Sequence, residues 1–251
     1  CIGTAAASAA IAFMADTHGA RSTSLALRHW VATGLTVALL VPSVRPVPPA
    51  LIAYGREAAA QAMASRYVDV GQILFAGEGT SQFIAVSRDA SGALTYHAAG
   101  KVQASTLPED MRLQLLLAHL SHFAVRDHAP LNVLVVGCGA GITAGALASA
   151  PNLQTLRIVD LEPLALKVAD EYFGTANGHV LSSPQVTAVE DDGRHFLATS
   201  PETYDIITTD LTDPWVKGVA ALFTTEYFDL ARRHLRPGGV VTQFIQLYQT
   251  N

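Results

Sequence analysis

The chain has 251 residues, 50% of them hydrophobic and only 15% charged, against about 25% charged in an ordinary soluble domain. A net charge of -5, with no run of Lys or Arg, excludes a nucleic-acid-binding surface. Cys1 and Cys138 supply neither a disulfide framework nor metal-ligand spacing, which suits a reducing compartment.

Residues Cys1 to Ala15 are almost wholly apolar or small, Asp16 to Arg28 are polar, and Leu25 to Val41 are apolar again. Arg28 and His29 interrupt the second run and Pro42 closes it. A spanning helix needs about 20 apolar residues, and Ala, Gly and Ser suit close helix packing in a bilayer. The alternative is a pair of buried helices in a soluble domain. Transmembrane helices are the favoured expectation, because nothing nearby in the chain could cover two helices this apolar. The segment lacks the basic n-region of a signal peptide. Opening on Cys1 inside an apolar run and closing just past a strand, the chain reads as a piece of a longer protein.

The proline-rich stretch Val41 to Pro49 reads as a linker or a membrane exit, and the apolar unit is taken as residues 1–50. Residues 51–106 are expected to hold a connecting helix, Leu51 to Tyr67, and a small antiparallel β unit. Its strands fall at Gln72–Phe75, Gln82–Val86 and Ala93–His97, punctuated by Gly77-Glu78-Gly79 and Asp89-Ala90-Ser91-Gly92. Residues 107–251 open with a helix through about Phe123, whose Glu109 and Asp110 lie in the first turn, where the helix dipole favours acids. From Leu131 strands and helices alternate. Strands are predicted at Val133–Val136, Thr155–Asp160, Gln185–Val189, Asp205–Asp210 and Gly239–Ile245. Helices include Pro163–Tyr172 and Thr224–Leu235, the latter stopped by Pro237-Gly238-Gly239. This pattern predicts an α/β fold with a mostly parallel sheet covered on both faces.

The chemistry concentrates between Leu131 and Asp213. Gly137, Gly139 and Gly141 follow an apolar strand and let the backbone approach a ligand ahead of a helix. A nicotinamide fingerprint would put its third glycine at position 142. Ile142 stands there, and the tighter G-x-G-x-G favours a Rossmann-like fold of the S-adenosylmethionine-dependent methyltransferase type. An ordinary tight β–α turn is the plainer reading. Asp160 ends the next strand, where a carboxylate can accept both ribose hydroxyls of a nucleoside, or else cap the helix from Pro163. Glu162, two residues on, is read as facing solvent. Asp192 and Gly193 follow the third strand and can border an adenine ring, with a helix N-cap the alternative for Asp192.

Asp210 ends the strand Ile206–Ile207 at the carboxyl edge where ligands bind in open α/β sheets. Asp213 lies in a turn fixed by Pro214. Two carboxylates converging on one pocket suit a polycationic amine, and suit removal of a proton from an ammonium whose pKa lies near that of lysine, about 10. A turn whose acids cap local backbone is the alternative. His119 and His122 share a helix face without a metal-ligating partner and are read as structural. Trp215 and Phe223 are read as pocket wall or core.

From about Gly71 to Tyr248 the chain resembles the spermidine synthase, or polyamine aminopropyltransferase, family. The resemblance rests on Gly100-Lys101-Val102-Gln103, the helix containing Gln114, the loop VLVVGCGAG, Asp160, Asp192-Gly193, and ITTDLTDP followed by Ala221-Leu222-Phe223-Thr224. The apolar N-terminus suggests the membrane-fused branch of that family, with the α/β domain on the cytoplasmic side. The resemblance implies that Gln103 and Asp160 hold the nucleoside of decarboxylated S-adenosylmethionine and that Asp192 and Gly193 bind its adenine. It implies that Asp210 orients and deprotonates the attacking amine, with Asp213 and Gln114 holding the di- or polyamine, for example putrescine. No metal is implied, and a homodimer is a further expectation. The sequence departs from the family pattern at Ala140, where an Asp usually contacts the aminopropyl amine, and at Leu113, usually Tyr. Two other functions stay open: a methyltransferase using S-adenosylmethionine itself, and a non-catalytic domain that binds a nucleoside or polyamine and regulates a membrane half.

Overall fold

In the computed structural model the described residues are 23–40, 47–55, 71–125, 130–210, 214 and 218–245. The chain divides into two compact units, Cys1–Val47 and Pro48–Asn251. The described part of the first is one helix, α1 (Thr23–Leu40), in which the Thr36 hydroxyl donates back to the Ala32 carbonyl at 2.8 Å. Among the described residues no helix is long and apolar enough to cross a membrane. The described part of the run expected over Leu25–Val41, which ends at Leu40, therefore offers no such helix. The run Cys1–Ala15 lies outside the described residues, as does most of the helix expected over Leu51–Tyr67, of which residues 49–55 are helical.

The second unit begins with a four-stranded antiparallel sheet in simple order: β1 (Gln72–Glu78), β2 (Phe83–Arg88), β3 (Leu94–Ala98) and β4 (Lys101–Ser105). Asp89 forms the turn between β2 and β3. Its carboxylate accepts from the Ser91 and Ala93 N–H groups at 2.8 and 2.9 Å, so an Asx turn sets the hairpin. Apolar side chains of this sheet (Ile84, Val86, Tyr96, Ala98) pack with Ala165, Val168 and Phe173 in one cluster.

Helix α2 (Pro108–Ala124) leads into five parallel strands: β5 (Leu131–Val136), β6 (Leu153–Asp160), β7 (Val186–Glu190), β8 (Tyr204–Thr209) and β9 (Leu235–Gln243). Their spatial order is β7-β6-β5-β8-β9, and every pairing is parallel. The order reverses between β6 and β8 on either side of β5, which opens a crevice at the carboxyl ends of the strands. From Val133 to Val136 β5 is a continuous apolar run, because both of its faces are covered there. Val133 and Val135 join the cluster of Ala118, Ala144 and Leu147, and Leu134 and Val136 join Leu197, Tyr227 and Ala231. Each fully buried aliphatic side chain stabilises the fold by about 1.5–3 kcal/mol.

Four further helices follow: α3 (Ile142–Ala148), α4 (Pro163–Asn177), α5 (Gly193–Thr199) and α6 (Thr225–Arg233). α4 starts with Pro163, whose missing N–H costs nothing there, and ends at Gly178 with φ +68°. The Pro237-Gly238-Gly239 run does not end the last helix, as its composition suggests. α6 stops at Arg233, and the run lies inside β9, where the pairing with β8 shifts register between Tyr204 and Ile206. A strand at the sheet edge tolerates a proline that cannot donate to a ladder.

Candidate active site

The carboxyl ends of β5, β6, β7 and β8 face one cavity of about 510 Å³. Its wall brings together Gln103, Gln114, Gly137, Gly139, Asp160, Asp192, Gly193 and Asp210, eight of the residues expected from sequence. Gly141 is not among them. It caps α3 at φ +75°, in left-handed space that a glycine enters freely, and a Cβ there would meet the Asn177 amide at 2.9 Å. There it makes the turn and lets α4 pack close. Asp213 lies outside the described residues, as does Trp215, while Phe223 lines the cavity.

Asp160 is fixed by the loop it serves. Its Oδ2 accepts the Cys138 N–H at 2.7 Å and its Oδ1 the Glu162 N–H at 2.8 Å. Burial pushes its pKa up; the two N–H donors oppose that and Glu162 adds to it. The carboxylate thus arrives at the cavity already oriented, with lone pairs left on both oxygens. The Cys138 thiol is buried, and its pKa is raised by burial and then by Asp160 and Asp210, so this sulfur is inert at neutral pH.

Capping α4 falls to Glu162 rather than Asp160: Glu162 Oε1 accepts the Leu164 N–H at 3.2 Å. Glu162 does not face solvent. It is 1% exposed, and its Oε2 takes the Ser81 N–H at 2.7 Å and the Ser81 hydroxyl at 2.9 Å. A signal existed, since an acid directly before Pro163 is an N-cap pattern. Its partners on a β turn some 80 residues away had none.

Asp192 both lines the cavity and caps α5. Its Oδ1 accepts the Arg194 and His195 N–H groups at 2.9 and 3.0 Å, so the helix-cap reading holds for that oxygen. Neighbouring Asp191 is held by His195 Nδ1 at 2.8 Å.

Asp210 leaves β8 with its N–H donating to the Val136 carbonyl at 3.1 Å. Surrounding protein raises its pKa, and the Thr143 hydroxyl, donating to Oδ2 at 2.5 Å, pulls it back. Thr143 also lies 3.3 Å from the Gln114 carbonyl, which couples α2, α3 and β8 at one point. Nothing in the sequence singles Thr143 out. Gln114 Nε2 donates to the Asp110 carbonyl at 3.1 Å, and Asp110, held by the Ser105 hydroxyl at 2.5 Å, shares the cavity wall. Ala140 and the half-exposed Leu113 line it too. His122 is 3.3 Å from Asn152 Oδ1, away from the cavity.

Six carboxylates therefore line the cavity (Asp110, Asp160, Glu162, Asp191, Asp192 and Asp210), and among its described lining residues there is no Lys, Arg or His. Such a pocket attracts cations and repels anions.

The family model described as the spermine/spermidine synthase domain matches residues 113–247, more than half of the chain. The chain belongs to the spermine/spermidine synthase family. Among curated relatives, it is 31% identical over 171 residues to a polyamine aminopropyltransferase of Oceanobacillus iheyensis, covering 67% of this chain and 33% of that protein. It is 29% identical over 182 residues to one of Aeropyrum pernix, covering 71% and 57%. The chain thus spans between about a third and three-fifths of these relatives' length. A spermidine synthase solved in complex with the transition-state analogue AdoDATO superposes with a TM-score of 0.63 at 20% identity, covering 68% of this chain and 57% of that one. The Thermotoga maritima spermidine synthase gives 0.61 at 21% identity, covering 68% and 56%. These likenesses establish the Rossmann-like, methyltransferase-type fold of the synthase family.

Proposed function

We propose that this synthase-family chain transfers an aminopropyl group from decarboxylated S-adenosylmethionine to a di- or polyamine such as putrescine. The observation that carries the proposal is the acidic lining of the cavity, which contains no basic residue among those described. Both proposed substrates are cations without a carboxylate. S-adenosylmethionine itself carries one, and the described wall offers no cationic partner for it.

The residues divide the work. Asp160 and Gln103 hold the nucleoside, Asp160 by accepting ribose hydroxyls. Asp192 and Gly193 border the adenine, Asp192 through the oxygen not used in its helix cap. Asp210 accepts a proton from the incoming ammonium, so that the nitrogen lone pair attacks the carbon beside the sulfonium. The new C–N bond forms as the C–S bond breaks, and methylthioadenosine departs with the electron pair. The sulfonium is already a good leaving group, so the protein supplies position and electrostatics. Asp213 and Gln114 hold the diamine. No step calls for a metal. A cavity of about 510 Å³ lies within the range of small-ligand sites.

Titration of the protein with methylthioadenosine and then putrescine tests this. Both are expected to bind, the second more tightly after the first, followed by turnover with decarboxylated S-adenosylmethionine. Ala140, a neutral side chain on the wall, favours the methyltransferase reading. Binding of S-adenosylmethionine with no response to any polyamine would establish it instead. Nucleoside or polyamine binding without turnover would leave a non-catalytic binding domain.

We propose also that the apolar run Cys1–Ala15 attaches the protein to a membrane with the α/β unit on the cytoplasmic side. The almost wholly apolar or small residues of that run and the unpaired Cys138 support this. The protein is then expected in the membrane pellet after an alkaline wash, and recovery in the supernatant would overturn the attachment. Light scattering reads the proposed homodimer.

A further inference from the structure

The turn between β1 and β2 forms part of the cavity wall through Ser81 and Gln82. It is closed by the Gly79 N–H donating to the Gln82 carbonyl at 2.9 Å. What holds it in place comes from the other sheet. Glu162 Oε2 gathers the Ser81 N–H at 2.7 Å, the Ser81 hydroxyl at 2.9 Å, the Thr80 hydroxyl at 3.3 Å and the Gln82 N–H at 3.4 Å. The fit is close enough that a Cβ on Gly79 would run into the Glu162 carboxyl group.

A helix cap uses one carboxylate oxygen and needs no burial. Here the capping oxygen is Oε1, and the four donors on Oε2 have no part in the helix. The Glu162 backbone also matters: its N–H donates to Asp160 Oδ1 at 2.8 Å. The turn, Glu162 and Asp160 therefore form one hydrogen-bonded chain along the cavity wall, and Leu161 between the two acids lines the same cavity.

We infer that Glu162 is a positioning residue that latches the β1–β2 turn over the nucleoside end of the cavity and thereby sets nucleoside affinity. The inference rests on the nucleoside reading proposed above. Burial would raise the Glu162 pKa, but its donors outweigh that and hold it below the ordinary value. A lowered folded-state pKa stabilises the charged, latched form above the ordinary glutamate pKa, and that stabilisation is lost as pH falls through the lowered value. At neutral pH the latch is closed.

The test joins amide hydrogen exchange at residues 79–83 with titration by methylthioadenosine, on the unmodified protein, Ser81→Ala and Glu162→Gln. Ser81→Ala leaves the α4 cap untouched and keeps the experiment decisive if Glu162→Gln folds poorly. Both variants should exchange faster at the turn and bind methylthioadenosine about tenfold more weakly, the effect of losing a charge-assisted hydrogen bond. In turnover the loss should fall mainly on KM for the nucleoside substrate. Ser81→Thr, which keeps a hydroxyl, should restore affinity. Unchanged exchange would overturn the latch, and faster exchange with unchanged affinity would reduce Glu162 to a structural tie. If the unmodified protein bound no methylthioadenosine, the nucleoside reading would fall, and the exchange data would still decide whether the latch exists.

Discussion

Asp210→Asn should abolish the proposed aminopropyl transfer, lowering kcat by about 10²–10⁴-fold, the range for loss of a positioned general base, while methylthioadenosine still binds. Asn keeps the shape and an acceptor for the Thr143 hydroxyl, so the geometry around Oδ2 survives. The amide cannot take the ammonium proton. Stability should move the other way. The Asp210 pKa is raised by burial, with Thr143 opposing. A raised carboxylate pKa means that the charged form destabilises the fold as pH climbs past the ordinary value. Removing that charge should leave the melting temperature at neutral pH equal or higher, so an inactive variant is not mistaken for an unfolded one. In the unmodified protein the proposed turnover should lose kcat on the acid side, as Asp210 is protonated. Thr143→Val removes a donor that lowers this pKa, so its acid limb should move to higher pH. Equal activity in Asp210→Asn would take this residue out of the mechanism, and an unmoved acid limb in Thr143→Val would remove Thr143 from its tuning.

Asp160→Ala should act on binding rather than on the chemical step, weakening nucleoside affinity by about 100-fold. A carboxylate accepting two ribose hydroxyls loses two charge-assisted hydrogen bonds when truncated, each contributing about 1.5–3 kcal/mol. The same change orphans the Cys138 and Glu162 N–H groups that Asp160 now accepts, so thermal stability should fall as well. Asp160→Asn keeps an acceptor for only one of these two N–H groups, so it should lose less stability than Asp160→Ala while still weakening the ribose site. Calorimetric titration reads the affinity directly. An unchanged dissociation constant in a folded Asp160→Ala variant would deny the ribose role and move the nucleoside elsewhere in the cavity.

How much of this was legible in the sequence differs by residue. The strand–loop–helix from Leu131 through Gly141 was, because a parallel strand buried on both faces must be a continuous apolar run and the turn beyond it needs glycine. Asp160 and Asp210 were, since each closes such a run at the edge where sheet carbonyls end and ligands bind. The four-stranded unit showed its turns in Gly79 and in Asp89–Gly92, although its fourth strand, β4, showed only as a closing segment around Gln103. The Pro237-Gly238-Gly239 run misled, because a helix stop and an edge strand tolerate the same residues, and only pairing with β8 separates the two.

The local sequence by itself determined the parallel α/β architecture, the glycine loop and the acids at the strand ends, because those depend on periodicity and on backbone freedom within a few residues. Tertiary structure alone decided that Gly141 stands against Asn177 rather than on the cavity wall, that Thr143 reaches Asp210, and that Glu162 turns inward to hold a distant turn. It also decided that six carboxylates share one wall. Each of these depends on which side chains meet across elements tens of residues apart, and a hydrogen bond of 2.5–3.4 Å leaves no trace in the order of residues along the chain.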